Sequence, residues 1–481
     1  MPWADRLTAS RDAISIFVPE NSLTLPVKYL VKRPPVFVEP GATVAQAAQT
    51  MREALIGSIL VADDPPGIVT DRDLRGRVLA AGLGPETSVR QIMSRPLKTL
   101  DSDAPVVAAL HLMLEEDIHH LALVEEGRIV GVISSSDLLQ HQTRSPFYLR
   151  RILETLEGPA RLAHYSREVA GMVETLFRGG LGAVQIGRIV SSLNDALVKR
   201  LVGLAERDLG PAPTEFAWIV FGSEGRLEQA LLTDQDNALI YGEESETARV
   251  YFGTLAERVV GGLIQTGFPP CAGGFMATHW CKALEEWRRL FALWVRTPEP
   301  QALLEAAIFF DFRPVAGTLS LAPLDEILAG AGPEKAFIAH LAEGALAPPP
   351  LGFFNRIRSD DGKVDVKKGG LAPIVGLSRA AALAGGSLER STLERLAAAG
   401  KSGIFLSQDD ASELAEIFQF LLHLRLRQQL TSLQSNRPLD HNIHLNALST
   451  AERRHLKEGF VRIRRIQNGV RAWCSWEILG W

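Results

Sequence analysis

WIVFGSEGRLEQALLTDQDNALIYG, residues Trp218 to Gly242, decides how the chain is read. An apolar run enters a Gly-Ser turn, charged residues follow, and two aspartates one residue apart open a second apolar run. The spacing predicts a strand, a turn at Gly222 and Ser223, and a second strand that Asp234 starts. Gly222 lets the backbone turn sharply or approach a ligand. Amides from Ser223 onward suit a phosphate. Side chains alternate along a strand, so Asp234 and Asp236 share one face. Two acids there are costly unless something positive holds them. Magnesium (or manganese) meets that need, because such ions take carboxylates together with substrate phosphates. The plainer alternative is an element terminus with solvated aspartates. The full constellation of strand, turn, spacer and Asp-x-Asp favours the metal.

A third carboxylate would complete such a site. Asp311 is the candidate, in AAIFFDFRPVAG, where it interrupts an apolar run expected to be a strand. The alternative for Asp311 is an acid satisfied by the neighbouring Arg313.

The 481 residues exceed one ordinary core and imply several domains. A formal net charge of -5 gives no bulk attraction for nucleic acid. Three cysteines without a CxxC pair argue against a zinc knuckle or a disulfide framework. The start, MPWADRLTASRD, lacks a basic segment followed by an apolar core, so no signal peptide is expected. Charge or proline breaks every apolar run before 18 residues, so no membrane span is expected. A cytoplasmic protein is the simple reading.

Residues 26 to 140 contain a repeat. SILVADDPPGIVTDRDL and HLALVEEGRIVGVISSSDL align with Gly67 against Gly131, and each follows an amphipathic helical stretch. Each copy closes on a strand, a hydroxyl at a helix start, and an acid in the first turn. Thr70 and Ser134 suit helix caps, with Asp73 and Asp137 near the positive end of the dipole. The same groups also suit the two hydroxyls of a ribose, and composition does not choose between these roles. This part resembles a tandem CBS pair, a module that commonly binds adenosine nucleotides. The resemblance makes Thr70, Asp73, Ser134 and Asp137 the ribose-contacting candidates. It also implies a homodimer through the CBS pair.

Residues 146 to 210 read as a helical bridge, ended by the prolines at Pro211 and Pro213. The last third reads as helices, one opened by a Ser449–Glu452 capping box. Between them, FFNRIRSDDGKVDVKKGGLAPIVGL reads as a loop or β-arm with a basic pair at Lys367 and Lys368. Arg425, Arg427, Arg462, Arg464 and Arg465 offer charge to an acidic partner, with internal ion pairs as the plainer reading.

FGSEGRLEQALLTDQDNALIY, GGFMAT, EEWRRLFALWV and FFDFRPVAG resemble the nucleotidyltransferases of the DNA polymerase beta superfamily. More closely, they resemble the DUF294 family that follows CBS pairs. That family is related to the enzymes that nucleotidylate PII signalling protein and glutamine synthetase. The resemblance implies that Gly222 and Ser223 hold nucleotide phosphates. It implies that Asp234, Asp236 and Asp311 hold metal. Arg226 suits a phosphate, with surface solvation as the plainer reading. Arg226 and Glu228 match family positions without a role derivable from the residues.

The expected fold is α+β and multidomain. It comprises an N-terminal extension (1–25), a tandem CBS pair (26–142), a helical bridge (146–210), a polymerase-beta-like nucleotidyltransferase domain with a mixed sheet (211–345), and a C-terminal helical, substrate-binding bundle (346–481). The expected function is ligand-regulated, magnesium-dependent transfer of a nucleoside monophosphate from a nucleoside triphosphate to an acceptor hydroxyl, on a protein by family analogy. The alternative is a non-catalytic, adenine-nucleotide-sensing signalling module.

Overall fold

The two copies of the repeat fold alike because their patterns are alike. In the first, β1 (Phe37–Val38) pairs parallel with β2 (Ser58–Val61), which pairs antiparallel with β3 (Gly67–Thr70). In the second, β4 (Thr99–Asp101) pairs parallel with β5 (His120–Glu125), which pairs antiparallel with β6 (Arg128–Ser134). A helix crosses between the parallel strands of each copy: α1 (Val44–Ala54) and α2 (Val106–Glu115). Val44, Ala47 and Met51 form the buried face of α1 and pack on Ile59, Val61 and Val69. The computed structural model describes residues 26–31, 33–139, 146, 149–150, 153, 165–231, 234–435, 437 and 439–479. The expected extension 1–25 and much of the first part of the helical bridge lie outside the described residues. Among those described, no helix is long and apolar enough to cross a membrane.

Contacts divide the chain into two compact units, Met1–Tyr148 with Arg178–Leu181, and Leu149–Phe177 with Gly182–Trp481. The second unit is built on a four-stranded mixed sheet of order β10-β7-β8-β9. Its centre is β7 (Phe216–Val220) against β8 (Asn237–Tyr241), antiparallel and buried at every position. Burial on both faces explains why FAWIV and NALIY are continuously apolar rather than alternating. The edges are β9 (Cys281–Ala283), parallel to β8, and β10 (Arg313–Gly317), antiparallel to β7.

Long helices α3 (Ala183–Leu209) and α4 (Glu246–Gln265) pack on one another. The aromatic helix α5 (Leu284–Arg296) and α6 (Pro300–Phe309) follow β9. Here the sequence expectation is corrected. The apolar run ahead of Asp311 is helix α6, with Pro300 in its first turn, and the strand starts only at Arg313. Asp311 therefore sits in the turn between a helix and an edge strand.

The last third is helical as expected: α7 (Lys335–Glu343), α8 (Ala372–Ala384), α9 (Thr392–Ser402), α10 (Gln408–Gln434) and α11 (Thr450–Leu479). The Ser449–Glu452 capping box is formed, with both reciprocal bonds present. The basic arm contains a short strand, β11 (Lys363–Asp365), paired antiparallel with β12 (Asn442–His444). One apolar core runs without a break from Ala217 and Ile240 on the sheet to Leu421, Phe460 and Cys474 in these helices.

Candidate functional site

The turn after β7 is where the chain's buried polar groups converge. Phe221 leaves the strand, and Gly222 to Gly225 form one short helical turn. Gly222 has φ +60°, and a Cβ there would stand 2.8 Å from Asp236 Oδ2. Glycine is thus required both by conformation and by the approach of an acid. Phe221 N–H donates to the Asp236 carbonyl at 3.1 Å, which ties the turn to the start of β8. The strand begins at Asn237, so Asp234 and Asp236 lie just ahead of it rather than within it.

Asp234 and Asp236 come together with Cys271. Ligand atoms of these three lie within 4.8 Å of one another, the only such group of metal-capable side chains among the described residues. Burial pushes the Asp236 carboxyl up to about 6, and the charge of Asp234 adds to the rise. The hydrogen bond with Cys271 and the charges of Lys367 and Arg226 oppose it. Burial also pushes the Cys271 thiol up, so it stays protonated and serves Asp236 as a hydrogen-bond donor. Two close carboxylates, Asp234 exposed and Asp236 half-buried, fit a hard, oxygen-seeking cation. A protonated thiol is no ligand for such an ion. Cys271 stands 35 residues beyond Asp236, and no local sequence pattern ties the two together.

Asp311 is placed differently from its expected role as third metal carboxylate. It is fully buried, and its ligand atoms do not join the group of Asp234 and Asp236. Three guanidiniums surround it instead. Arg379 donates from Nε to Oδ1 at 2.9 Å and from Nη2 to Oδ2 at 2.6 Å. Arg395 donates from Nη1 to Oδ1 at 2.5 Å, and Arg226 reaches Oδ2. Although burial alone would raise it, these charges hold the carboxyl far below the usual carboxylate range. Arg313 does not satisfy Asp311 either. It pairs with Asp195 of α3 through two bonds, at 2.6 and 2.8 Å.

The same network explains EGRLEQ. Leu227 takes a left-handed backbone (φ +58°), a conformation costing a non-glycine residue about 1 kcal/mol or more. Arg226 and Glu228 flank it. Arg226 Nε donates to Glu228 Oε2 at 2.9 Å, and its other arm holds Asp311. Glu228 accepts from Thr392 N–H at 2.5 Å and from Thr392 Oγ1 at 2.9 Å, at the start of α9. Gln229 accepts from Asn194 Nδ2 at 2.6 Å, and Asn194 accepts from Tyr165 OH at 3.0 Å. The motif is thus a buried polar joint between the sheet and the C-terminal helices.

Elsewhere the plainer alternatives hold. Arg427 pairs with Glu452, Arg462 with Glu413, Arg465 with Asp410 and Glu413, and Arg464 meets Asn355. Lys282 pairs with Glu286 one helical turn on. Arg425 makes none of these pairings and lies in the electric field of Arg226, Asp365 and Asp234.

In the first unit the hydroxyl-acid pairs cap helices. Thr70 Oγ1 accepts from Asp73 N–H at 3.3 Å, while Asp73 Oδ2 accepts from Thr70 N–H at 2.9 Å and Oγ1 at 2.7 Å. Ser134 and Asp137 repeat the arrangement at 3.3, 2.8 and 2.6 Å. All four residues also line one cleft of about 720 Å³ between the two copies, together with Arg33, Arg72 and His120.

Three family models match the chain. The CBS domain model matches residues 27–80 and 89–144. A model described as "Putative nucleotidyltransferase DUF294" matches 167–301, and one described as "Putative nucleotidyltransferase substrate binding domain" matches 335–473. Among similar proteins, an uncharacterised protein of Methanopyrus kandleri is 35% identical over 24% of this chain and 61% of its own length. Hypoxic response protein 1 of Mycobacterium tuberculosis is 33% identical over 21% of this chain and 72% of its own. The chain thus spans less than two thirds of the first of these relatives. A CBS domain-containing protein of Bacillus subtilis is 31% identical over 22% of this chain and 76% of its own. Among solved structures, an uncharacterised conserved protein from Pyrococcus horikoshii is 33% identical, covering 26% of this chain and 96% of that one, with a TM-score of 0.24. A CBS domain protein from Pyrobaculum aerophilum, complexed with AMP, is 29% identical over 24% and 90%, with a TM-score of 0.22. The chain belongs to the CBS-domain-containing proteins, and behind its CBS pair it carries a DUF294 domain and the substrate-binding domain named with it.

Proposed function

We propose that the second unit transfers a nucleoside monophosphate from a nucleoside triphosphate to an acceptor hydroxyl, on a protein. The observation that carries this reading is the meeting of Asp234 and Asp236 beside the Gly222 turn. In this reading the two carboxylates hold magnesium or manganese. When bound, the ion neutralises phosphate oxygens and favours the ionised form of the attacking hydroxyl. Gly222 leaves room for a phosphate to approach the backbone, and the first amides of the turn have no acceptor within it. The acceptor oxygen forms a bond to the α-phosphorus while the bond to pyrophosphate breaks. Asp311 has a supporting part: it holds Arg226 fixed beside the aspartates.

Incubation with magnesium, lysate proteins and each α-labelled nucleoside triphosphate tests the reading. The wild type labels an acceptor and Asp236→Ala does not. Equal labelling by both proteins overturns the transfer reading, and labelling by neither favours the sensing module.

The regulatory half of the proposal is an adenosine nucleotide in the cleft of the CBS pair, with Asp73 and Asp137 on the ribose hydroxyls. Two aspartates lining one cleft at equivalent positions of the repeat support it. Titration of AMP into wild type and Asp137→Ala checks it, with weaker binding expected in the variant. A homodimer through the same pair predicts twice the chain's mass by light scattering.

A further inference from the structure

Near Asp234 and Asp236 the C-terminal part carries cations that the mechanism above does not use, the buried Arg425 and the exposed Lys367. Arg425 and Gln429 lie one turn apart on α10 and so share a face. Both are buried, at 5% and 1% exposure. Arg425 Nε and Gln429 Oε1 have no hydrogen-bond partner, and neither has the buried Nδ1 of His441. The ladder of β11 and β12 ends at Asp365 opposite Asn442, and Val366 N–H then donates to the His441 carbonyl at 3.2 Å. Lys367 and His441 therefore emerge at the same end of this ribbon, which packs on α10.

The Lys367 ammonium lies in the electric field of Arg425, Arg226, Asp234 and Asp236. Arg425 faces Arg226, Asp365 and Asp234, and Asp365 Oδ1 already accepts from Lys368 N–H at 2.9 Å. Arg226 is spent on Asp311 and Glu228. A buried guanidinium with an open donor costs stability unless a ligand completes it. A partner here must satisfy the cations and also reach the aspartates through a metal. A pyrophosphoryl group, with two phosphates, suits both demands.

We propose that Lys367 and Arg425, with His441 and Gln429 beside them, bind the pyrophosphoryl end of the donor nucleotide. The C-terminal helices then complete the donor site. The inference rests on the transfer reading for the rest of the ligand, while the anion site itself requires no turnover.

Calorimetric titration of inorganic pyrophosphate into the full chain in magnesium chloride tests it. Three variants are compared at matched thermal midpoints: Lys367→Gln, Arg425→Lys and Arg462→Gln. Lys367 is exposed, so its loss leaves the fold intact, and Arg425→Lys keeps the charge while removing the Nε donor. The wild type and Arg462→Gln bind pyrophosphate, and the first two variants bind at least tenfold more weakly. Unchanged affinity in Lys367→Gln and Arg425→Lys overturns the proposal, as does a wild type that does not bind. Failure of the Asp236→Ala labelling test with an intact pyrophosphate result sinks the transfer reading alone.

Discussion

Two buried acids of the second unit respond to pH in opposite ways. Asp311 is held far below the usual range by three arginines. Its pairing contributes stability above the ordinary carboxylate pKa, and loses it only in strong acid. Asp311→Asn leaves those guanidiniums around a neutral amide, at a cost of roughly 3–5 kcal/mol. The thermal midpoint of the second unit should fall steeply at every pH from 5 to 9, and a midpoint near wild type would contradict the arginine knot. Glu224 is the reverse case. Burial pushes it up to about 8, and the nearby charge of Asp195 adds to the rise. A raised acid binds its proton in the folded state while the unfolded chain has released it. Stability therefore falls as pH rises from about 4.5 to about 8, by up to roughly 1.4 kcal/mol per unit. Glu224→Gln removes that slope, so its midpoint should gain on wild type steadily from pH 5 to 8. A constant difference across that range would mean that Glu224 is already ionised in the fold.

At the scale of elements, the turn after β7 is built on contacts too close for a side chain. A Cβ at Gly225 would meet the Asp311 carbonyl oxygen at 2.0 Å and the Val220 carbonyl oxygen at 3.0 Å. Both are backbone atoms, one at the end of β7 and one in the turn ahead of β10, so neither yields cheaply. Gly225→Ala should cost more than the ~1–3 kcal/mol of ordinary overpacking. Gly253→Ala in α4 meets nothing within 4 Å and should stabilise by up to about 1 kcal/mol. Equal midpoints for the two variants would refute the close approach. β7 and β8 were legible in the sequence because continuous apolar runs between turn residues leave few alternatives, and the repeat was legible from its spacing. The helix before Asp311 was not, because a short apolar run such as AAIFF fits a buried strand and a buried helix equally. Asp311 itself was misplaced because its partners Arg379 and Arg395 lie 68 and 84 residues downstream. No local pattern announces such a bond. Arg226 and Glu228 were visible as charges without a task for the same reason: Thr392 lies 164 residues beyond Glu228.

Over the whole second unit, polar joint and apolar core tie the sheet to the C-terminal helices. Asp311, Arg226 and Glu228 on the sheet side meet Arg379, Arg395 and Thr392 on the helical side. The core that begins at Ala217 also includes Ile374, Leu421 and Ile463. Cutting the chain at 345 would leave Asp311 with one arginine in place of three and expose much of that core. The C-terminal helices are thus part of the fold that shapes the aspartate site, and not an appendage to it. A fragment of residues 165–345 should fail to melt cooperatively and should bind a hydrophobic dye, whereas 165–481 should melt in a cooperative transition. Supplying residues 346–481 in trans should restore some cooperativity to the short fragment, since the joint is non-covalent. The opposite result, a well-folded 165–345 with a sharp melt, would show that the sheet and its turn hold together without the arginines, and would remove the structural argument for Asp311 as a keystone.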